Sequence, residues 1–179
     1  MFEELLLLGR KEESIALQTR KKTDVPNSMG PECVPPTEVR KFERLLKKFS
    51  NWKPRKPPTG VYNCVGHVWA SRRTGVYDRL DEWVLRIRDE DGYRVLNTGN
   101  EYPRTGDLVT YWETLNPHTN FLHIGIVEMR EGIEPSSQRL PFVWSKLDGT
   151  SGEVVHYVSD VPYREIFGDF QTEFWTDRP

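Results

Sequence analysis

Apolar residues recur at helical spacing in three stretches of the first half of the chain. Such a stripe is typical of a helix that packs one side on a core. The second stretch begins at Cys64, directly after Asn63, a residue type that caps helices well. The stretches predict three helices, which carry Val39, Phe42, Leu45, Leu46 and Phe49 after Thr37; Cys64, Val68 and Ser71; and Leu80, Trp83, Val84 and Ile87 within residues 78–88.

Beyond Gly92 the spacing becomes alternating, as in strands that bury one face. The sequence Asn116-Pro117-His118 predicts a turn between the first two strands. In the second strand we expect Phe121, His123 and every other residue to Val127 to share a face. The predicted strands cover residues 108–112, 121–129, 141–147 and 153–158, and the aromatic tail, 162–179, is predicted as a last turn and strand.

Helices followed by antiparallel strands predict an α+β domain over residues 37–179, with the Cys64 helix packed on the sheet. Residues 1–36 are predicted to be a partly disordered arm, because residues 10–36 are polar and then rich in proline. The leucine run, Leu5–Leu8, predicts a short helix in this arm. That helix packs on the domain or docks a protein partner.

The same leucines do not predict a signal peptide, because Glu3 and Glu4 stand where basic residues are expected and the apolar run is short. No stretch approaches the roughly 20 apolar residues that cross a bilayer. We therefore expect a cytoplasmic protein without membrane contact. Two cysteines make neither a disulfide framework nor paired zinc ligands, which favours a reducing compartment.

The composition predicts a folded core and limits the classes of partner that the protein is expected to bind. The 179 residues are 36% hydrophobic and 12% aromatic, which is enough for one well-packed core. A formal net charge of −2 gives no global basic field, so nucleic acid is not the expected partner. Basic residues cluster on the first predicted helix, where we interpret them as a solvated face.

Cys64 is the first candidate for chemistry. At the start of a helix its thiol lies among unpaired backbone N–H groups and at the positive end of the helix dipole, and both favour the thiolate. This predicts a thiol pKa well below about 8.5. The alternative is that Cys64 is a small buried apolar residue.

A cysteine nucleophile needs a base, and His123 is the candidate. It lies in an otherwise apolar strand, and Gly125 beside it leaves room for another chain to approach. The alternative is a core histidine that a backbone carbonyl satisfies. His67 is predicted to pack rather than to react, because it lies about one turn after Cys64 on the same helix but off the face of Cys64. His118 is predicted to contact substrate or to cap the turn.

Three segments together resemble the NlpC-type cysteine peptidases, which have a papain-like fold. They are Asn63-Cys64-Val65-Gly66-His67-Val68, Gly106-Asp107 before a strand, and His123-Ile124-Gly125-Ile126-Val127. The likeness covers residues 60–130. It implies a peptidase or amidase that acts on a peptide or peptide-like substrate without a cofactor.

By the same likeness, Cys64 would be the nucleophile and His123 the general base, with the Cys64 N–H in an oxyanion hole. Asn63, Tyr62 and His118 would lie at the oxyanion or substrate-binding positions. The third catalytic residue would be Ser145, or His156 on the following strand.

Three alternatives stay open beside this function. The lecithin retinol acyltransferase-like enzymes share these segments, but their His precedes the Cys, so the order here favours a peptidase or amidase. A second alternative is a catalytically inactive papain-like module that binds a partner. A zinc site of Cys64, His118, His123 and His156 is not expected, because their spacing is not that of metal ligands.

Overall fold

A computed structural model describes residues 14–115, 118–128, 141–162 and 169–179, without the side chains of Leu115, His118 and Thr119. Within this part of the chain, no helix is long and apolar enough to cross a membrane. The helices are α1 (Pro36–Lys48), α2 (Cys64–Trp69) and α3 (Leu80–Asp91), and the strands are β1 (Lys53–Lys56), β2 (Arg94–Val95), β3 (Leu108–Leu115), β4 (His118–Glu128), β5 (Phe142–Lys146), β6 (Glu153–Tyr157) and β7 (Phe170–Thr176).

The strands form one antiparallel sheet in the order β1-β6-β5-β4-β3-β7-β2. The α+β prediction is therefore confirmed, and all three predicted helices are present. Two edge strands were not predicted. All four residues of β1 are exposed and β2 has only two residues, so neither gives an alternating pattern. Because β1 lies between α1 and α2, the expected order of helices before strands is wrong.

The sheet separates two apolar regions. On one side, which we call the helix face, α2 and α3 contribute Cys64, Val65, Val84 and Ile87 to a cluster with Leu108 and Ile124. On the other side, the opposite face, Val109, Tyr111 and Val143 form a second cluster. Alternation along β3 puts Leu108 and Val109 on different faces, so each strand contributes to both.

Helix α1 packs on the opposite face near β6. Its apolar stripe joins Trp52 and Val154 in a third cluster, as the sequence predicted for one side of this helix. The Trp52 ring stacks on Phe49 with 4.4 Å between centroids, and its Nε1 donates to the Asp160 carbonyl at 2.8 Å. These contacts fix the segment that leads from α1 into β1.

The described part of the arm, residues 14–36, lies against the domain. Val25 belongs to the cluster of the helix face, and Thr19 Oγ1 donates to Glu90 Oε2 on α3 at 2.5 Å. Ser28 and Gly75 exchange two backbone hydrogen bonds. Polar side chains and backbone groups make most of these contacts, which is why the hydropathy pattern did not predict them. The predicted leucine-rich helix lies outside the described residues.

Candidate active site

Helix α2 begins at Cys64, as predicted. Asn63 caps it, with Oδ1 accepting from the Gly66 N–H at 3.0 Å, and its Nδ2 also donates to the Val76 carbonyl. A Cβ on Gly66 would lie 1.8 Å from the Thr74 carbonyl oxygen. Only glycine therefore lets α2 pack this closely on the segment that follows it.

The Cys64 thiol is buried, with 6% of the residue exposed. Burial raises its pKa to about 11, although the backbone N–H groups of Ile124, Val65 and Cys64 itself act in the other direction. The thiol is thus neutral at pH 7 in this structure, contrary to the expected activated thiolate. The N–H groups at the start of the helix do favour the thiolate, but the cost of removing the thiolate from water is larger.

His123 lies on the opposite face, not on the face of Cys64. It pairs with Tyr111, and their ring centroids are 5.6 Å apart. The next pair is Trp112 with Phe121, so a bulge leaves Leu122 as an extra residue in β4. Phe121 packs on the helix face, and the prediction that it shares a face with His123 is wrong. The sequence pattern assumed an alternation that the bulge interrupts.

The His123 ring is fully buried. Burial, and in second place the neighbouring His156 and His67 rings, hold the pKa of His123 well below the usual value of 6.5. The imidazole is therefore neutral near pH 7. The structure does not bring the predicted nucleophile and base together on one face of the sheet, and their catalytic roles stay a prediction.

Ser145 and His156 form a buried pair. Val143 pairs with His156, so both residues lie on the opposite face with His123. Ser145 Oγ lies 2.8 Å from His156 Nε2, and His156 Nδ1 lies 2.7 Å from the Tyr157 carbonyl. A carbonyl can only accept, so Nδ1 carries the proton and Nε2 accepts from the serine hydroxyl. Burial lowers the pKa of His156 to about 4. The two candidate orienting residues thus contact each other but not Cys64.

The helix face carries a charged group that the sequence did not identify. Glu153 is fully buried, and we call it, with the four side chains around it, the Glu153 cluster. Burial raises its pKa, but hydrogen bonds from His67, Tyr62 and Arg72 outweigh burial and lower it to about 2. The contacts to the carboxylate are Tyr62 Oη at 2.5 Å, Arg72 Nε at 2.6 Å, Trp144 Nε1 at 2.9 Å and His67 Nδ1 at 3.3 Å.

Arg72 reaches the Glu153 cluster from the turn that follows α2. Ser71 and Arg72 adopt left-handed conformations with φ of 50° and 65°, which few residues other than glycine adopt. The turn directs Arg72 back over the helix, where its guanidinium also lies 4.4 Å from the centroid of the Trp144 ring.

Lys146 pairs with Glu153 across β5 and β6 and is also fully buried. Its Nζ donates to the carbonyls of Thr59, at 2.8 Å, and Ser151, and lies 5.0 Å from the centroid of the Tyr62 ring. Burial lowers the pKa of Lys146 to about 8, while the charges of Asp148, Glu153 and Cys64 act in the other direction. One pattern in the sequence could have pointed to this lysine: it alternates with Phe142 and Trp144 on one side of a strand.

The other predicted site residues have structural partners. Tyr62 and Asn63 are almost fully buried, and their side chains form hydrogen bonds with Glu153, Gly66 and Val76 inside the protein; their predicted role at the oxyanion or substrate-binding positions stays a prediction. His118 begins β4, and its side chain lies outside the described part. Asp107 forms a two-point ion pair with Arg178, at 3.1 and 2.5 Å, which fastens the C-terminal end to β3. Among the described residues, no group of three His, Cys, Asp or Glu side chains could hold a metal ion.

The three segments that resemble the NlpC-type peptidases occupy the expected elements: Cys64 opens α2, Gly106-Asp107 precedes β3, and His123 lies in β4. Comparison of the chain with protein-family models, with curated proteins and with solved structures finds no match. Membership of that family is therefore a prediction from these segments.

Proposed function

We propose that the chain is a papain-like cysteine hydrolase that cleaves an amide or isopeptide bond through a thioester on Cys64. The observation that carries this proposal is the position of Cys64, which opens α2 directly behind its Asn63 cap, among the first backbone N–H groups of the helix. Burial raises the pKa of this thiol, and the backbone N–H groups of Ile124, Val65 and Cys64 act in the other direction, toward the thiolate.

The same groups suit the chemistry of acyl transfer. The sulfur bonds to the substrate carbonyl carbon, the carbonyl oxygen becomes an oxyanion, and the C–N bond then breaks as the amine leaves with a proton. Backbone N–H groups at the start of α2 are fixed donors for that oxyanion and need no reorganisation. Water hydrolyses the thioester and regenerates the thiol. An acceptor other than water would make the same chain an acyltransferase.

A second candidate is a catalytically inactive papain-like module that binds a partner. Two observations favour it: Cys64 is 6% exposed with a pKa raised to about 11, and His123 lies on the opposite face. In this case Cys64 would serve packing alone, and the Glu153 cluster would only fasten α2 to the sheet.

Acylation by p-nitrophenyl acetate separates the two functions. A hydrolase should release p-nitrophenol and carry an acetyl group on the Cys64 peptide, as detected by mass spectrometry after a short pulse. Cys64→Ala should abolish both signals. Cys33→Ala is the matched control, because Cys33 is the other free cysteine and is exposed.

A panel of peptide and isopeptide substrates then defines the bond that is cleaved. Turnover that disappears in Cys64→Ala and persists in Cys33→Ala supports the hydrolase. If Cys64 acquires no acetyl group while the protein stays folded, the hydrolase is wrong and the binding module replaces it.

A further inference from the structure

We propose that a cavity near β2, at the edge of the sheet, binds a carboxylate attached to a planar apolar group. A free aromatic acid and the C-terminal aromatic residue of a peptide both carry this chemistry. The cavity has a volume of about 300 Å³, at the lower end of the range for small-molecule sites. Its lining does not include the residues of the proposed hydrolase, so the inference does not depend on that function. The residues that line it are Asn100, Glu101, Tyr102, Pro103, Arg104 and Arg178.

One wall of the cavity is the loop that follows β2, and hydrogen bonds hold this loop in place. Glu101 accepts two hydrogen bonds from the Arg94 guanidinium, at 2.9 and 2.7 Å, and a third from the Asn97 N–H at 3.0 Å. The Asn97 carbonyl accepts in turn from the backbone N–H groups of Asn100 and Glu101. This wall is therefore formed before a ligand arrives, which limits the entropy that is lost on binding.

The opposite wall is held by Asp107, the residue before β3. Its carboxylate accepts from the Arg104 backbone N–H at 2.7 Å and from two nitrogens of the Arg178 guanidinium. Arg178 Nε also donates to Thr176 Oγ1 at 3.0 Å. These bonds fix the Arg178 side chain and the backbone at Arg104 next to each other.

The charges of these side chains do not balance. Arg94 is paired with Glu101, and Arg178 is paired with Asp107. Arg104 also lines the cavity, and its guanidinium has no hydrogen bond or ion pair with the residues that the structure describes. Three arginines and two carboxylates leave one positive charge, and the free guanidinium can donate two parallel N–H groups to an oxyanion.

A single excess charge favours a carboxylate over a phosphate monoester. A carboxylate carries one negative charge, whereas the phosphate carries about −1.5 to −2 at pH 7. The carboxylate therefore neutralises the Arg104 charge without leaving an excess negative charge beside Glu101 and Asp107.

Tyr102 supplies the apolar contact. Half of this residue is exposed, the largest fraction for a large apolar residue in the described part of the chain. One exposed ring is ordinary at a protein surface. Here, however, the ring and the unpaired Arg104 line the same cavity, two positions apart in the chain. A ligand that carries both a planar ring and a carboxylate can contact the two side chains together.

The test is an NMR titration with N-acetylphenylalanine and with benzoate, which represent the peptide and the free acid. We expect saturable shifts of the Tyr102 and Arg104 amide signals with at least one of them, and the tighter ligand identifies the source. N-acetylphenylalaninamide, which lacks the charge, should bind about tenfold more weakly or worse, because a hydrogen bond to a charged group is lost. Equal binding of the acid and its amide, tighter binding of phenyl phosphate, or no saturable shift would overturn the inference.

Variants then identify the residues that bind the ligand. Arg104→Gln should raise the Kd of the acid by about tenfold or more, and Tyr102→Leu should raise it by about threefold. Arg40→Gln is the matched control, because it removes the same charge from an exposed position on α1, and it should change the Kd by less than about twofold.

Cys64→Ala should bind the acid as the natural sequence does, so this test and that of the hydrolase fail separately. Arg104 and Tyr102 are exposed, and their variants should keep the thermal midpoint of the natural sequence. An unchanged Kd in Arg104→Gln, or an equal rise in Arg40→Gln, would overturn the assignment of the carboxylate to Arg104.

Discussion

The two faces of the sheet bury polar side chains in different ways. On the helix face, Glu153 stays ionised and is held by Arg72 and by hydrogen bonds from Tyr62 and Trp144. On the opposite face, burial lowers the pKa of His123 and His156, so both rings are neutral. The polar side chains on the two faces are equally buried, so the difference in charge does not come from a difference in exposure.

The difference shows what decides charge inside this protein. Burial alone drives an ionisable group to its neutral form, and only close partners of opposite charge or hydrogen bonds reverse this. Glu153 has such partners and stays charged. Cys64 has backbone N–H groups, which oppose burial but do not overcome it. Reactivity at Cys64 therefore needs a further group on its own face that favours the thiolate.

The largest effect is expected from Glu153→Gln, which keeps the shape of the side chain and removes its charge. Arg72 and Lys146 would then be buried or half-buried cations without this carboxylate. Removing one partner of a buried ion pair costs about 3–5 kcal/mol of the free energy of unfolding. Urea denaturation measures the loss.

Glu82→Gln is the control, because Glu82 pairs with Arg79 at the surface and should change stability little. Equal losses in the two variants would contradict the account of a buried charge held by its partners.

The opposite face should make the protein sensitive to acid. His156 has a pKa of about 4 when folded and about 6.5 when unfolded, so between these pH values only the unfolded chain binds the proton. The free energy of unfolding should fall by about 3 kcal/mol as the pH drops from 6.5 to 4. His123 acts in the same direction.

Urea denaturation at several pH values, with His156→Gln for comparison, measures this dependence. The Glu153 carboxyl, whose pKa is about 2 when folded and about 4.5 when unfolded, also lowers stability as the pH falls, but mainly below about pH 5, whereas His156 acts from about pH 6.5 downward. A variant whose stability changes with pH as steeply as that of the natural sequence would show that His156 is not responsible.

Gly125→Ala tests how tightly β4 and β5 pack on the opposite face. The new Cβ would lie 2.4 Å from Val143 Cγ1 and 3.1 Å from Ser145 Cβ. We expect a loss of about 1–3 kcal/mol in the free energy of unfolding, because neighbours in a packed core can move only at such a cost. Gly99→Ala, at an exposed position, should be close to neutral. A neutral Gly125→Ala would mean that the two strands are less closely packed than described.

Ser145→Ala should have the smallest effect. It removes one buried hydrogen bond to His156, which is worth about 1 kcal/mol. Because the pair lies on the face away from Cys64, the acylation rate of Cys64 should not change. A large drop in that rate with stability preserved would restore Ser145 as an orienting residue.

Much of the fold could be predicted from the sequence, because it follows from local patterns. The stripe of α1, the cap at Asn63 and the alternation in β5 and β6 each depend on residues close in the chain. The predicted placement of His123 failed at a bulge between Tyr111 and Trp112. A bulge depends on the partner strand, and no spacing within β4 reveals it.

The sequence predicted only the part of the candidate site that depends on neighbouring residues in the chain. Cys64 follows its cap directly, so its position could be identified. Glu153 and Lys146 meet through pairing of β5 with β6 and contact a helix some 80 residues earlier, and their burial depends on those distant partners. The expected low thiol pKa failed for the same reason, since residues from the sheet exclude water from Cys64.

The rate of iodoacetamide labelling at Cys64 relative to Cys33, in the natural sequence and in His123→Gln, tests most directly whether the helix face alone controls the thiol. Peptide mapping after short pulses from pH 5 to 10 gives both rates in one experiment. We expect Cys64 to lag behind the exposed Cys33 across this range, because burial raises the pKa of the Cys64 thiol to about 11, and to follow the same profile in His123→Gln. Labelling of Cys64 ahead of Cys33 at mildly acidic pH, lost in His123→Gln, would contradict the account and pair the thiol with His123.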